Sequence, residues 1–160
     1  MIKVKIIALG KLKEKYLREA CQEYIKRLSG YAKTEIIELE PVRLSDSPSP
    51  AEIQKALSAE AEMIKKKLSD GALITAMCIE GKQFSSQEFS KKLTSAVNGG
   101  KGELIFIIGS SYGLDEGLKA LADIKLSFSA MTFPHQLFRV MLLEQVYRSF
   151  KIAEGSSYHK

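Results

Sequence analysis

Apolar and polar positions alternate from Ile2 to Leu9, with Ile2, Val4 and Ile6 set against Lys3 and Lys5. That period of two predicts a half-buried strand ending at Gly10. The period then lengthens. From Lys11 to Leu28, Leu12, Tyr16, Ala20, Tyr24 and Leu28 recur at helical spacing with Leu17, Cys21 and Ile25 beside them, which predicts an amphipathic helix. Ser29-Gly30 stops it, and Thr34–Glu40 (TEIIELE) reads as a short strand bounded by Pro41. The stretch Pro41–Pro50, PVRLSDSPSP, is a Pro/Ser-rich surface loop.

Structure restarts at Ser49-Pro50-Ala51-Glu52. Ser49 is placed to cap a helix, Pro50 fits its first position, and Glu52 completes a capping box. Ile53, Leu57, Ala61, Ile64 and Leu68 line one side of that helix, which is predicted to run to about Leu68. Ala72–Ile79 (ALITAMCI) is apolar throughout, as expected of a central strand covered on both faces, and ends at Glu80-Gly81. Ser85 and Glu88 form a second capping box, with Phe84 and Phe89 as its apolar staple, and the helix they start ends near Asn98-Gly99-Gly100. Leu104–Ile108 (LIFII) is a second apolar strand. A short helix from Asp115 to about Asp123, a strand over Ile124–Phe128, and a last helix from Pro134 to Ile152 complete the order, leaving the tail GSSYHK.

Strands alternating with helices predict an α/β fold: a mostly parallel sheet with helices on both faces. Ligands in such folds sit beyond the carboxyl ends of strands, which directs attention to Glu80-Gly81, Gly109–Gly113 and Phe128–His135. Composition narrows the picture. The 160 residues fit one domain at ~150 residues per domain. With 45% hydrophobic and 27% charged residues the chain is globular, neither disordered nor fibrous. Cys21 and Cys78 lack metal-ligand spacing and are too few for a disulfide framework, and His135 and His159 do not make a metal site. No run reaches the ~18 apolar residues of a membrane span, and the amino terminus lacks a signal peptide's apolar core. A cytoplasmic protein without a metal is therefore expected. The net charge of +5 permits a polyanionic partner without demanding one.

Four segments have the residues for chemistry. In Phe106–Leu114 (FIIGSSYGL) a buried strand enters a Gly/Ser turn, where backbone groups can approach a ligand unobstructed. It is neither a dinucleotide fingerprint nor a P-loop, and by itself it reads equally as a plain strand-to-helix turn. Leu126–Gln136 (LSFSAMTFPHQ) combines large apolar side chains with a loop backbone, a surface suited to a flat heteroaromatic ligand or to the protein's own core. His135 and Arg139, four apart on the last helix, place an imidazole beside a fixed cation, suited to an acidic N–H or a phosphate; the plainer reading pairs Arg139 with a carboxylate. Leu137–Val146 is apolar almost all round, as in a buried helix or an oligomer interface, and Glu144 with Arg148 reads as an ordinary helix pair. Tyr158-His159-Lys160 reads as a frayed end by position, though its residue types suit an unpaired nucleotide. The basic stretch Lys11–Lys15 reads as a solvated helix face able to touch phosphates.

Taken together, GKLKEKYLREACQEYIKRLSGY, FIIGSSYGL, LSFSAMTFPHQLFRVMLLEQVYRSFKI and the closing YHK strongly resemble the SPOUT-class methyltransferases over the whole chain. The match is to the small subfamily that methylates N3 of a pseudouridine in bacterial large-subunit ribosomal RNA. The resemblance implies an α/β fold with a trefoil knot near the carboxyl end, a homodimer, S-adenosylmethionine as methyl donor, and the ribosome as partner. It places the donor pocket at Met77, Gly109, Phe128, Ser129, Ala130, Met131, Thr132 and Phe133. His135 and Arg139 fall at its catalytic positions, and Tyr158 and His159 at its substrate-binding ones.

Two residues depart from the family pattern. Ser110 stands where a second glycine is usual, and so is expected to restrict the turn and either narrow the pocket or add a hydroxyl. Ser157 stands where proline commonly precedes the tyrosine, which predicts a tail more flexible when unbound. The alternative to an enzyme is a ribosome- or RNA-binding protein that keeps the fold without the chemistry; a small-molecule α/β enzyme is disfavoured by the terminal Tyr-His.

Overall fold

The computed structural model describes residues 1–159. Strands and helices alternate along it: β1 (Ile2–Leu9), α1 (Lys15–Leu28), β2 (Ala32–Leu39), α2 (Pro50–Lys65), β3 (Leu73–Gln83), α3 (Ser86–Asn98), β4 (Glu103–Ile108), α4 (Glu116–Leu121), β5 (Ile124–Ser127) and α5 (His135–Ala153). One 3-10 turn, Ser157–His159, follows. The strands form a single sheet in the order β2-β1-β4-β3-β5, and every neighbouring pair is parallel. All five carboxyl ends therefore point to one edge, and each connection must cross a face of the sheet.

Alternation along the buried strands explains how both faces are covered. Ile6 and Phe106 belong to one apolar cluster with Cys21 of α1, Phe89 and Leu93 of α3, and Leu142, Leu143 and Val146 of α5. Their neighbours Ile7 and Ile107 point the other way, into a cluster with Ala61 and Ile64 of α2 and Leu118 of α4. α1, α3 and α5 thus lie on one face and α2 and α4 on the other, so the middle strands have no polar side to show. Both predicted capping boxes form: Ser49 with Glu52 and Ser85 with Glu88 satisfy each other's backbone N–H groups.

The structure corrects four boundaries with physical consequences. α1 begins at Lys15 rather than Lys11. The Leu12 and Lys13 N–H groups are spent on Glu38 Oε2 (3.1 Å) and Gln136 Oε1 (3.2 Å), while their carbonyls accept from Arg18. Residues 11–14 are thus a pinned extended segment, and Tyr16 stands 67% exposed, outside the apolar face to which its spacing assigned it. α2 stops at Lys65, short of Leu68. β3 continues past its apolar run to Gln83, resuming its pairing with β5 after a register shift between Met77 and Lys82. Gly81 permits this, because a Cβ there would lie 2.7 Å from the Lys125 backbone. Finally, the tail is not frayed: it turns back onto α5.

Candidate active site

The middle of β3, where its pairing with β5 is interrupted, the carboxyl ends of β4 and β5 and the loops that leave those two strands enclose a cavity of about 590 Å³, within the ~300–1,000 Å³ range of small-molecule sites. Met77 at the interruption in β3, Gly109 just after β4 and Met131 in the loop after β5 all border it. Phe128, Ser129, Thr132 and Phe133 line it as well; Ala130 lies between them in sequence but off the cavity wall.

Each loop has a local reason for its path. At the end of β4, Gly109 cannot hold a side chain, since a Cβ would sit 2.4 Å from the Gly113 carbonyl oxygen. The turn closes by a 2.9 Å bond from the Gly113 N–H to the Ser110 carbonyl, and it is Gly113, at φ +88°, that takes up the left-handed backbone. Ser110 has no positive φ. Its hydroxyl donates to Glu60 Oε1 at 2.9 Å, so the departure from the family's glycine adds a hydrogen bond and no backbone strain. After β5, the Ser129 hydroxyl accepts from the Met131 N–H at 2.9 Å, and the Ser127 hydroxyl donates to the Ser129 carbonyl at 3.2 Å. These short-range bonds shape the loop. The Phe128 ring anchors it against Phe138 at 4.8 Å between centroids.

One wall is charged, which sequence reasoning missed. Glu80 and Lys119 border the cavity, and Lys119, though only 8% exposed, is ion-paired to Glu80 and to Glu116. The hydrogen bond from Lys119 holds the Glu80 carboxyl below the usual range. A lysine on a short helix reads in sequence as a solvated charge; its burial is visible only once α4 is laid across the strand ends. The remaining wall is apolar, formed by Met77, Ile108, Leu126 and Phe138. Apolar faces, loop backbone and a carboxylate fixed by its lysine partner suit a ligand with a flat aromatic part and a hydroxylated part. On these grounds the residues fit an adenosyl methyl donor.

His135 and Arg139 are separated by the structure. His135 stands exposed at the first position of α5 and borders the cavity. Arg139, one turn on, is 4% exposed and outside the cavity lining. Its Nη1 donates to Glu38 Oε2 at 2.6 Å and its Nη2 to the Gly10 carbonyl at 3.2 Å. Burial pushes the Glu38 carboxyl up, but the Arg139 guanidinium and the Leu12 N–H outweigh it and hold the group below the usual range. The plainer reading of Arg139, pairing with a carboxylate, is the one observed.

Tyr158 and His159 lie near the other end of α5. The Tyr158 hydroxyl donates to Glu144 Oε2 at 3.0 Å, and its ring packs edge-on to Tyr147 and 4.9 Å beneath the Arg148 guanidinium. Arg148 Nη1 lies 3.3 Å from His159 Nδ1. The Glu144–Arg148 helix pair thus also holds the tail down. Lys160, the last residue of the YHK signature, lies outside the described residues. At 1.5 Å per residue, Glu144 and Arg148 are roughly 14–20 Å along the helix from His135, so one chain does not bring its tail to its own cavity. Among the described residues there is no metal-ligating cluster, and no helix is long and apolar enough to cross a membrane.

Comparison with known proteins agrees over the whole chain. Residues 2–159 match the family model described as "Predicted SPOUT methyltransferase". A protein of Acetivibrio thermocellus named ribosomal RNA large subunit methyltransferase H is 48% identical over 159 residues, covering 99% of this chain and 100% of the relative. Proteins of the same name from Streptococcus gordonii and Streptococcus equi subsp. zooepidemicus are 47% and 46% identical over the same coverage.

Proposed function

This chain belongs to the SPOUT methyltransferase family, and from that premise we propose that it methylates N3 of a pseudouridine in large-subunit ribosomal RNA. We further propose that S-adenosylmethionine is the donor, that the enzyme acts in the cytoplasm as a homodimer on assembled ribosomes, and that its carboxyl-terminal part follows the family's knotted path. The observation that carries this reading is the cavity over three adjoining strands, with His135 on its rim, in a chain matching its named relatives from end to end.

The bound donor supplies an electrophilic methyl on a good leaving group, so the protein's task is positioning and proton management. Met77, Ile108, Leu126 and Phe138 present the apolar surface for the adenine. The backbone of Gly109–Gly113 and Phe128–Phe133 would offer it hydrogen-bonding groups. Glu80, kept anionic by Lys119, is the fixed carboxylate for the donor's hydroxyls. His135, which borders the cavity, would orient the uracil ring and take its N3 proton or pass it to a solvent base. Arg139 acts behind it: by clamping Gly10 and Glu38 it fixes where β1 ends and where α5 begins. Tyr158 and His159 reach the acceptor only from a second copy of the chain, which gives the homodimer a chemical role.

Calorimetry with S-adenosylmethionine, followed by methylation assays on intact ribosomes, isolated large subunits and naked RNA, tests the proposal. Saturable donor binding and a methyl on pseudouridine N3 are expected, with ribosomes the best substrate. No donor binding would return the chain to the non-catalytic RNA-binding reading. His135→Ala with unchanged turnover would remove that side chain from the proton transfer.

A further inference from the structure

A second cavity, of about 380 Å³, adjoins the first. The two share Ser110, Ser111, Tyr112 and His135, so the turn after β4 is a common wall. We infer that this second cavity receives the acceptor pyrimidine base, stacked against Tyr112. The inference rests on the function proposed above and locates its substrate.

Topology places the cavity where a ligand is expected. Leu9 ends β1 and Ser110 lies in the turn just after β4, adjacent strands whose chains leave toward opposite faces, β1 into α1 and β4 into α4. Such divergence opens a crevice at the carboxyl edge of a parallel sheet. Its wall chemistry suits a flat heterocycle. Leu9, Leu44 and Leu57 are apolar, while Ser45 and Asp46 offer a donor and an acceptor for ring carbonyls and imino hydrogens. Tyr112, at the tip of the turn, is 48% exposed and stacks on no other aromatic ring among the described residues. An unpartnered aromatic face beside a cavity is what base stacking requires.

The width of the crevice is fixed by a buried carboxylate. Glu60, 4% exposed, accepts from the Ser110 hydroxyl through Oε1 (2.9 Å) and from the Val42 N–H through Oε2 (3.0 Å). One side chain therefore braces the Pro41–Asp46 loop against the turn after β4, holding the two walls apart at a set distance. Exposed cations adjoin its lining residues in sequence. Lys11 and Lys13, both exposed, follow directly from Leu9, and the Lys13 N–H is bonded to Gln136, next to His135. Arg43 is exposed on the opposite loop. Exposed positive charge on this stretch of chain favours the approach of an RNA backbone. His135, bordering both cavities, stands where donor and acceptor would meet.

Leu44→Trp, which fills the second cavity from a loop outside the first, and the surface variants Tyr112→Ala and Tyr112→Phe test the inference in the full-length protein. S-adenosylmethionine affinity is read by calorimetry and methylation on unmodified large ribosomal subunits. Leu44→Trp is expected to keep donor affinity within about twofold while methylation falls by at least fiftyfold. Tyr112→Ala is expected to raise the KM for large subunits or lower kcat by about tenfold or more, as lost stacking predicts, and Tyr112→Phe to restore most of it. Wild-type methylation by Leu44→Trp or by Tyr112→Ala would overturn the inference, as would a Leu44→Trp whose loss of rate is matched by its loss of donor affinity. A wild-type protein that neither binds the donor nor methylates ribosomes would instead overturn the proposed function itself.

Discussion

Arg139 and Glu38, 101 residues apart in sequence, meet at 2.6 Å between Nη1 and Oε2, joining the start of α5 to the end of β2. Because Arg139 is buried and also holds the Gly10 carbonyl, its removal takes a charged donor from both groups and leaves the Glu38 carboxylate only the Leu12 N–H. Arg139→Met is expected to lower unfolding stability by about 1.5–3 kcal/mol, the worth of a hydrogen bond to a charged group. A double-mutant cycle with Glu38→Met, read by urea denaturation, should show that most of this loss is coupling between the two. Additive losses would mean that the pair is not a unit.

The same contact sets an acid limit. A carboxyl held below its unfolded value contributes stability that is complete above the unfolded pKa, about 4.3 for glutamate. That contribution is lost as the pH falls through the lower folded value. Glu38 is such a group. The urea midpoint of the wild type should therefore drop steeply below about pH 4. Glu38→Gln should be less stable at pH 7 and show a shallower acid slope. Parallel slopes for the two proteins would remove Glu38 from the acid response.

Gly109 should tolerate no side chain. A Cβ at 2.4 Å from the Gly113 oxygen, with Leu114 Cδ2 at 3.0 Å, forces the turn to move. Gly109→Ala is expected to cost about 1–3 kcal/mol by overpacking and to weaken S-adenosylmethionine binding at least tenfold, measured by calorimetry. Unchanged affinity would show that the donor does not touch this turn.

If the tail works in trans, two inactive chains should complement each other. His135→Ala and a chain ending at Glu154 are each expected to be inactive as homodimers. Mixed by co-refolding, they should recover about a quarter of the wild-type rate, because half of the dimers are mixed and each mixed dimer holds one complete site. No recovery, with mixed dimers verified by mass, would place the tail's action within its own chain.

Element types and both capping boxes could be read from sequence because each depends on residues within a few positions of one another. Ser49 with Glu52, and the apolar runs ALITAMCI and LIFII, carry their own structural reasons. What escaped depends on distant partners. Nothing near Leu12 shows that its N–H will be taken by Glu38, so the amphipathic period carried α1 four residues too far. The burial of Lys119 needs Glu80, and the folding of the tail needs the side chains of Glu144 and Arg148 one helix earlier. The cavity was foreseeable where β4 and β5 end but not at the mid-strand interruption of β3, and its neighbour, built from the loop at residues 41–46 and α2, had no local signature at all.

The position of β1 in the sheet also governs how the molecule is made. Lys3 pairs with Glu103 and Ala8 with Ile108, so one side of the second-from-edge strand has no partner until two thirds of the polypeptide has been synthesised. A growing chain must therefore carry Val4, Ile6 and Ile7 with an open hydrogen-bonding edge through most of translation. Pairings this remote in sequence close slowly and leave sticky intermediates. Maturation of this protein should be correspondingly sensitive to holding chaperones and to the pace of elongation.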